Sequence, residues 1–145
     1  LARPAPERTT AMAREIYRSA GVARCAWSDR PIDERFAVDH VIPFSLWGNN
    51  DLWNLLPVDA RLNSQKSDKL PTAELIHERR LAIIHSWQVL RDAAPTAFDR
   101  QAAHLLGRSV SGPLAWEENL MGCLREAVEL TALQRGVARW TPTPH

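Results

Sequence analysis

"FAVDHVIPFSLWGNNDLWNLLPVDARLNSQKSDK", residues 36–69, decides the reading of this chain. The 145 residues include only two lysines, Lys66 and Lys69, and both stand at the end of this stretch. An Asp39-His40 pair comes first. Asn54 follows fifteen residues after Asp39, Asn63 nine after that, and Lys66 three further on. Local punctuation places these residues on elements. "FAVDHVI" is β-branched and weakly alternating, which predicts a strand ending near residues 40–42, ahead of Pro43. "PFSLWGNND" carries Pro43, Gly48 and two asparagines and reads as a loop. "WNLLP" reads as a second short strand, and "VDARLNSQKSD", after Pro57, as a short helix.

The residue types suit phosphodiester chemistry. Asp39 is a hard anionic oxygen donor and Asn63 a neutral carbonyl donor. Such ligands suit Mg²⁺ or Mn²⁺, and Mg²⁺ keeps several waters beside one or two protein carboxylates. His40, neutral near pH 7, can take a proton from an attacking water. Neighbouring strand residues point to opposite faces. Asp39 and His40 therefore share a cleft only where the strand ends or twists, and Pro43 predicts such an end. Lys66 lies on the helical face of Asn63. This predicts an ammonium beside a non-bridging phosphate oxygen, with Lys69 on the flanking backbone.

The segment resembles the HNH endonuclease motif, also called the ββα-metal fold. The resemblance rests on "DHVIP" at a strand end, Asn54 in "WNLLP" and Asn63 in "NSQKSDKLP". It implies Asp39 and Asn63 as metal ligands, His40 as general base, and Asn54 as a supporting residue that pins the loop through backbone hydrogen bonds. Asn at the last position with Lys three residues on, and "CAWSDRPI" (residues 25–32) as a lead-in strand, are similar to the HNH domains of RNA-guided CRISPR effector nucleases. The resemblance covers residues 22–72. Many members carry two Cys-x-x-Cys knuckles around a structural zinc. Cys25 and Cys123 are this chain's only cysteines and have no such companions. No structural zinc is expected, and helices are expected to brace the motif instead.

Outside this segment the sequence reads as helical. "PERTTAMAREIYRSAG" predicts a helix started by Pro6 and Glu7 and stopped by Gly21, with Met12, Ile16 and Ala20 as its apolar stripe. "VARCAW" predicts a strand. "PTAELIHERRLAIIHSWQVLRDAA" predicts one long helix with Ile76, Ile83, Ile84, Trp87 and Leu90 inward. "PTAFDRQAAHLLG" predicts a shorter helix. "PLAWEENLMGCLREAVELTALQRG" predicts another long one, with Leu120, Met121, Leu124, Val128 and Leu133 inward and Gly136 at its end. "TPTPH" reads as a loose tail. Trp47 and Trp53 read as core or loop anchors, the cysteines as buried small hydrophobes, and Arg79–Arg80 as a solvated face. His77, His85, His104 and His145 read as structural or surface residues. The expected architecture is α+β. It places a ββα-metal unit at residues 22–72, flanked by helices at 1–21 and 73–145, in one domain spanning 1–145.

Composition bounds the function. The chain is 45% hydrophobic and 24% charged, ordinary for a folded domain of a size that buries its own core. No apolar run approaches a membrane span and no secretory signal is visible; two distant cysteines without Cys-x-x-Cys companions argue against a disulfide scaffold and predict a reducing, cytoplasmic setting. The first residue is not Met, which fits a domain of a larger protein or a processed chain. Net charge is +1, and sign does not segregate: seven Arg against five acids in residues 1–35, three basic residues against four acids in 36–69, and eight against eight beyond. A stand-alone nucleic-acid binder usually shows a basic face. The expectation is therefore a Mg²⁺-dependent DNA endonuclease, with Mn²⁺ as substitute, working in a larger assembly. A restriction system, a phage-type nuclease or a guide-RNA effector complex in antiviral defence would each supply one. The competing reading is a non-catalytic nucleic-acid- or protein-binding module on an HNH scaffold.

Overall fold

A computed structural model describes residues 6–107, 110 and 115–143. The architecture is α+β: a two-stranded antiparallel ribbon and a short helix, enclosed by longer helices. Helix α1 (Pro6–Ser19) stops before Gly21, whose φ of 71° turns the chain away. It buries Ala13 and Tyr17, one turn apart, rather than the expected Met12 stripe; Met12 is 41% exposed. The Tyr17 hydroxyl donates to the Leu55 carbonyl at 2.6 Å, fixing α1 to the ribbon.

Strand β1 (Ala37–His40) pairs antiparallel with β2 (Leu55–Val58), Asp39 opposite Leu56 and His40 opposite Leu55. Pro57 is tolerated in β2 because a ribbon of two strands leaves each an unpaired edge. That edge is not wasted, since the Pro57 carbonyl accepts from the Ala26 amide at 2.9 Å. The segment before β1 forms a turn with one isolated bridge, Arg24 to Pro31, and not the expected strand at residues 22–27. Asp29, with φ of 61°, reverses the chain there. Between the strands lie a one-turn helix α2 (Phe44–Trp47), closed by Gly48 in the left-handed region, and a 3₁₀ turn at Leu52–Asn54. Helix α3 (Ala60–Lys66) starts where Asp59 accepts from the Arg61 and Leu62 amides. Strand β3 (Leu70–Pro71) follows.

The expected long helix is broken into α4 (Ala73–Glu78) and α5 (Arg80–Ala93). Arg79 lies between them in a bridge conformation, and its Nε donates to the Ala26 carbonyl at 2.7 Å instead of facing solvent. All five apolar residues expected inward on this stretch are buried. Helix α6 (Pro95–Leu106) and helix α7 (Trp116–Arg135) end at Gly107 and Gly136 as expected. Leu133 is 83% exposed, and Thr131 takes the inward place expected of it. Just before the expected tail, β4 (Arg139–Trp140) pairs parallel with β3, Leu70 opposite Arg139.

The helices hold the ribbon at several polar points. The Trp87 indole donates to the Trp53 carbonyl at 2.8 Å, and Gln101 accepts from the Leu52 amide at 2.8 Å. The Trp47 indole donates to Thr131 Oγ1 at 3.0 Å. Trp53 is buried and Trp47 packs edge-on against it, so both anchor the loop. His77, His85 and His104 are exposed; His145 lies outside the described residues. Cys25 is buried, Cys123 half-buried, and neither is in a disulfide.

Candidate active site

β1 ends at His40, and the next amide, Val41 N, turns aside to the Asn54 carbonyl at 2.9 Å. The strict alternation of a strand lapses there. Asp39 and His40 consequently line one surface pocket of about 340 Å³, together with Asn63, Ser67 and Asp68 from the end of α3.

Asn54 holds the loop whose Pro43, Phe44 and Ser45 line this pocket. Buried at the foot of β2, its Oδ1 accepts from the Ile42 amide at 2.9 Å, and its Nδ2 donates to the Ile42 and Asn49 carbonyls at 3.0 and 3.2 Å. One side chain thus ties both ends of the loop between the strands.

Asp39 is 3% exposed and held on both oxygens. Oδ2 accepts from the Trp27 indole at 2.8 Å, and Oδ1 from Lys66 Nζ at 3.3 Å. Burial pushes its carboxyl above the usual range; the Lys66 charge and the Trp27 hydrogen bond oppose this. Each carboxylate oxygen still has a lone pair free for a cation.

The expected contact of Lys66 with phosphate is corrected. Its ammonium is wholly buried and donates to Asp39 Oδ1 and, at 2.6 Å, to the His40 carbonyl. α3 packs on β1, so the residue one turn after Asn63 points under the strand, while Asn63 stays at the surface. Burial pulls the Lys66 ammonium below its ordinary value and the Asp39 charge pulls it back. Lys69 Nζ donates to the Gln65 carbonyl at 3.1 Å.

His40 is half-buried, its ring edge-on to Phe44 with centroids 5.7 Å apart. Nε2 lies 2.7 Å from Asn50 Oδ1. An amide oxygen only accepts, so this contact is a hydrogen bond in the tautomer that carries its proton on Nε2. Asn50 and Trp27 were missed by sequence reading. Asn50 stood in "GNND" as one loop breaker among several, and nothing local marks Trp27 as a donor to Asp39.

Residues 25–72 match the family model described as HNH endonuclease. This segment is similar to HNH endonucleases. The HNH segment opens at the turn before β1 and closes at the residue after β3, so the ribbon, the loop and α3 all lie inside it. The members of that family are nucleases that act on nucleic acid and generally use divalent metal ions. No curated protein matches the chain. Among the described residues, no three His, Cys, Asp or Glu side chains cluster closely enough to hold a metal. A cation in the HNH pocket would rest on few protein ligands. No helix of the described residues is long and apolar enough to cross a membrane.

Proposed function

We propose that this protein is a divalent-metal-dependent DNA endonuclease in which His40 is the general base. The observation that carries the reading is the convergence of Asp39, His40 and Asn63 on one pocket. The donor set fits a hard cation, with one carboxylate, one amide carbonyl and room for water, the coordination Mg²⁺ prefers. Asp39 and Asn63 would hold the ion, with Mn²⁺ as substitute. When bound, the ion supplies Lewis-acid stabilisation of charge on the transferring phosphate and leaving oxygen.

The chain's own residues do the rest. His40 Nδ1 takes the proton of the attacking water. Lys66 and Trp27 each hold one oxygen of the Asp39 carboxylate and so fix its orientation. Asn54 keeps the loop closed over the strand end. One base and one ion cut one strand per event. A near-neutral chain lacks the charge for tight binding by itself, which supports DNA delivery by a larger cytoplasmic assembly, a guide-RNA effector complex among the candidates. The helices of residues 73–145 brace the motif, and the chain acts as one domain.

The test is cleavage of supercoiled plasmid and single-stranded DNA with Mg²⁺, Mn²⁺ or EDTA, beside His40→Ala, Asp39→Ala and Asn63→Ala. Metal-dependent nicking, lost in all three folded variants, is expected. A fully active His40→Ala would overturn the assigned base. Absence of both cleavage and Mn²⁺ binding would favour the non-catalytic binding module.

A further inference from the structure

The loop between the two strands does more than join them. Asn54 bonds Ile42 at its start and Asn49 near its end, so the next residue, Asn50, is delivered to a fixed place beside the strand end. The Asn49 side chain supports the same turn, its Oδ1 accepting from the Asp51 amide at 2.8 Å and its Nδ2 donating to Asp51 Oδ2 at 3.1 Å. From that place Asn50 Oδ1 meets His40 Nε2 at 2.7 Å. On another side the ring meets the edge of Phe44.

We propose that Asn50 is the positioning residue for the His40 base: its carbonyl fixes the Nε2–H tautomer and aims the Nδ1 lone pair at the pocket. A neutral imidazole has one basic nitrogen, and a free ring divides its proton between two. A ring in the wrong tautomer offers a donor where an acceptor is needed. A rotated ring aims its lone pair away from the water. Asn50 removes both failures with one acceptor, and Asn54 transmits the loop's rigidity to it. The inference rests on the reading of His40 as base, but its structural half stands apart from catalysis.

Two variants and two readouts test it. Asn50→Leu keeps side-chain size and removes the acceptor; Asn50→Asp keeps an oxygen at the same place. Imidazole ¹⁵N shifts of His40, identified by their loss in His40→Gln and measured where the ring is neutral, report the tautomer without any cleavage assay. Wild type and Asn50→Asp are expected to show a pyrrole-like Nε2 and a pyridine-like Nδ1. Asn50→Leu is expected to show averaged shifts from two tautomers. In cleavage, Asn50→Leu should lower kcat about a hundredfold, the lower range of a general base's contribution, with KM little changed. Asn50→Asp should recover most of that loss. A single unchanged tautomer in Asn50→Leu would overturn the inference, as would undiminished kcat in that variant. If wild type cleaves nothing, the nuclease reading fails while the ¹⁵N shifts still decide whether Asn50 sets the ring.

Discussion

Lys66 and Asp39 form an ion pair inside the protein, 3.3 Å apart, with the lysine side chain wholly buried and the aspartate nearly so. Asp39 also lines the pocket it shares with His40 and Asn63, whereas Lys66 does not. A buried ammonium therefore bonds the proposed metal ligand.

Lys66→Met keeps the apolar stem and deletes the charge. It leaves Asp39 buried without its cation, and removing one partner of such a pair costs about 3–5 kcal/mol. Urea unfolding in EDTA is expected to show a loss of that size. Millimolar Mn²⁺ should return part of it, because a divalent ion at Asp39 replaces the missing charge. Equal stability of variant and wild type in EDTA would show that the pair contributes nothing.

Asn54→Ala removes three hydrogen bonds from the loop between β1 and β2. It leaves the buried Ile42 amide without its acceptor. A loss of about 2–3 kcal/mol is expected, since an orphaned buried group costs more than the bond itself was worth. Amide exchange at Ile42 should accelerate well beyond that of Leu56. If Ile42 exchange is unchanged, Asn54 does not hold the loop.

Burial raises the pKa of Tyr17 well above its ordinary value of about 10. Its contribution to stability is thus complete below pH ~10, where the unfolded chain's tyrosine is also neutral. Above that pH the unfolded chain loses a proton that the folded chain keeps, and stability falls until the folded pKa is passed. Tyr17→Phe is expected to cost about 1 kcal/mol at neutral pH through the lost bond to Leu55. Its stability should fall less steeply between pH 10 and 11. Parallel alkaline slopes for the two proteins would contradict the assignment.

Ser67 carries φ 51° and ψ −129° at the end of α3, a conformation that glycine adopts freely and serine does not. Ser67→Gly is expected to raise stability by about 1 kcal/mol, read from the midpoint of a urea melt. A lowered midpoint would mean that the Ser67 Oγ bond to Asp68 Oδ1, 2.8 Å long, outweighs the strain.

A protein ending at residue 72 should fail to fold. It would lose Trp87, Gln101 and Thr131, which bond Trp53, Leu52 and Trp47, and would expose much of the buried face of the ribbon. Absent near-ultraviolet circular dichroism in the fragment is the expected outcome. A cooperative melt would show that the HNH segment is a domain by itself.

Local chemistry made much of this legible. Pro57 marked the approach to α3, and Gly21, Gly107 and Gly136 announced helix ends, because breakers and left-handed stops act within a few residues. The pairing of Asp39 with His40 across a strand end followed from Pro43. What stayed hidden depends on distant partners. Spacing put Lys66 one turn from Asn63 but did not say which lay under β1. The "VARCAW" stretch is apolar because Cys25, Ala26 and Trp27 are buried in a turn, and composition alone does not distinguish that from a strand. Arg79 breaks a helix beside a carbonyl 53 residues earlier in the chain. Asn50 read as one loop breaker among several until the fold set it against His40.

The parallel pairing of β3 with β4 has a topological consequence. Leu70 and Arg139 sit side by side, so the chain that leaves the HNH segment after β3 comes back beside the same strand at β4, with the described helices α4 to α7 between. The helices are one excursion of the chain, threaded through neither strand of the ribbon. A different excursion with the same pairing of β3 and β4 and an equivalent set of props could replace them without rerouting the motif. The ribbon and the helices that brace it are therefore separable in topology, and the helical part can be exchanged without changing how the strands pair.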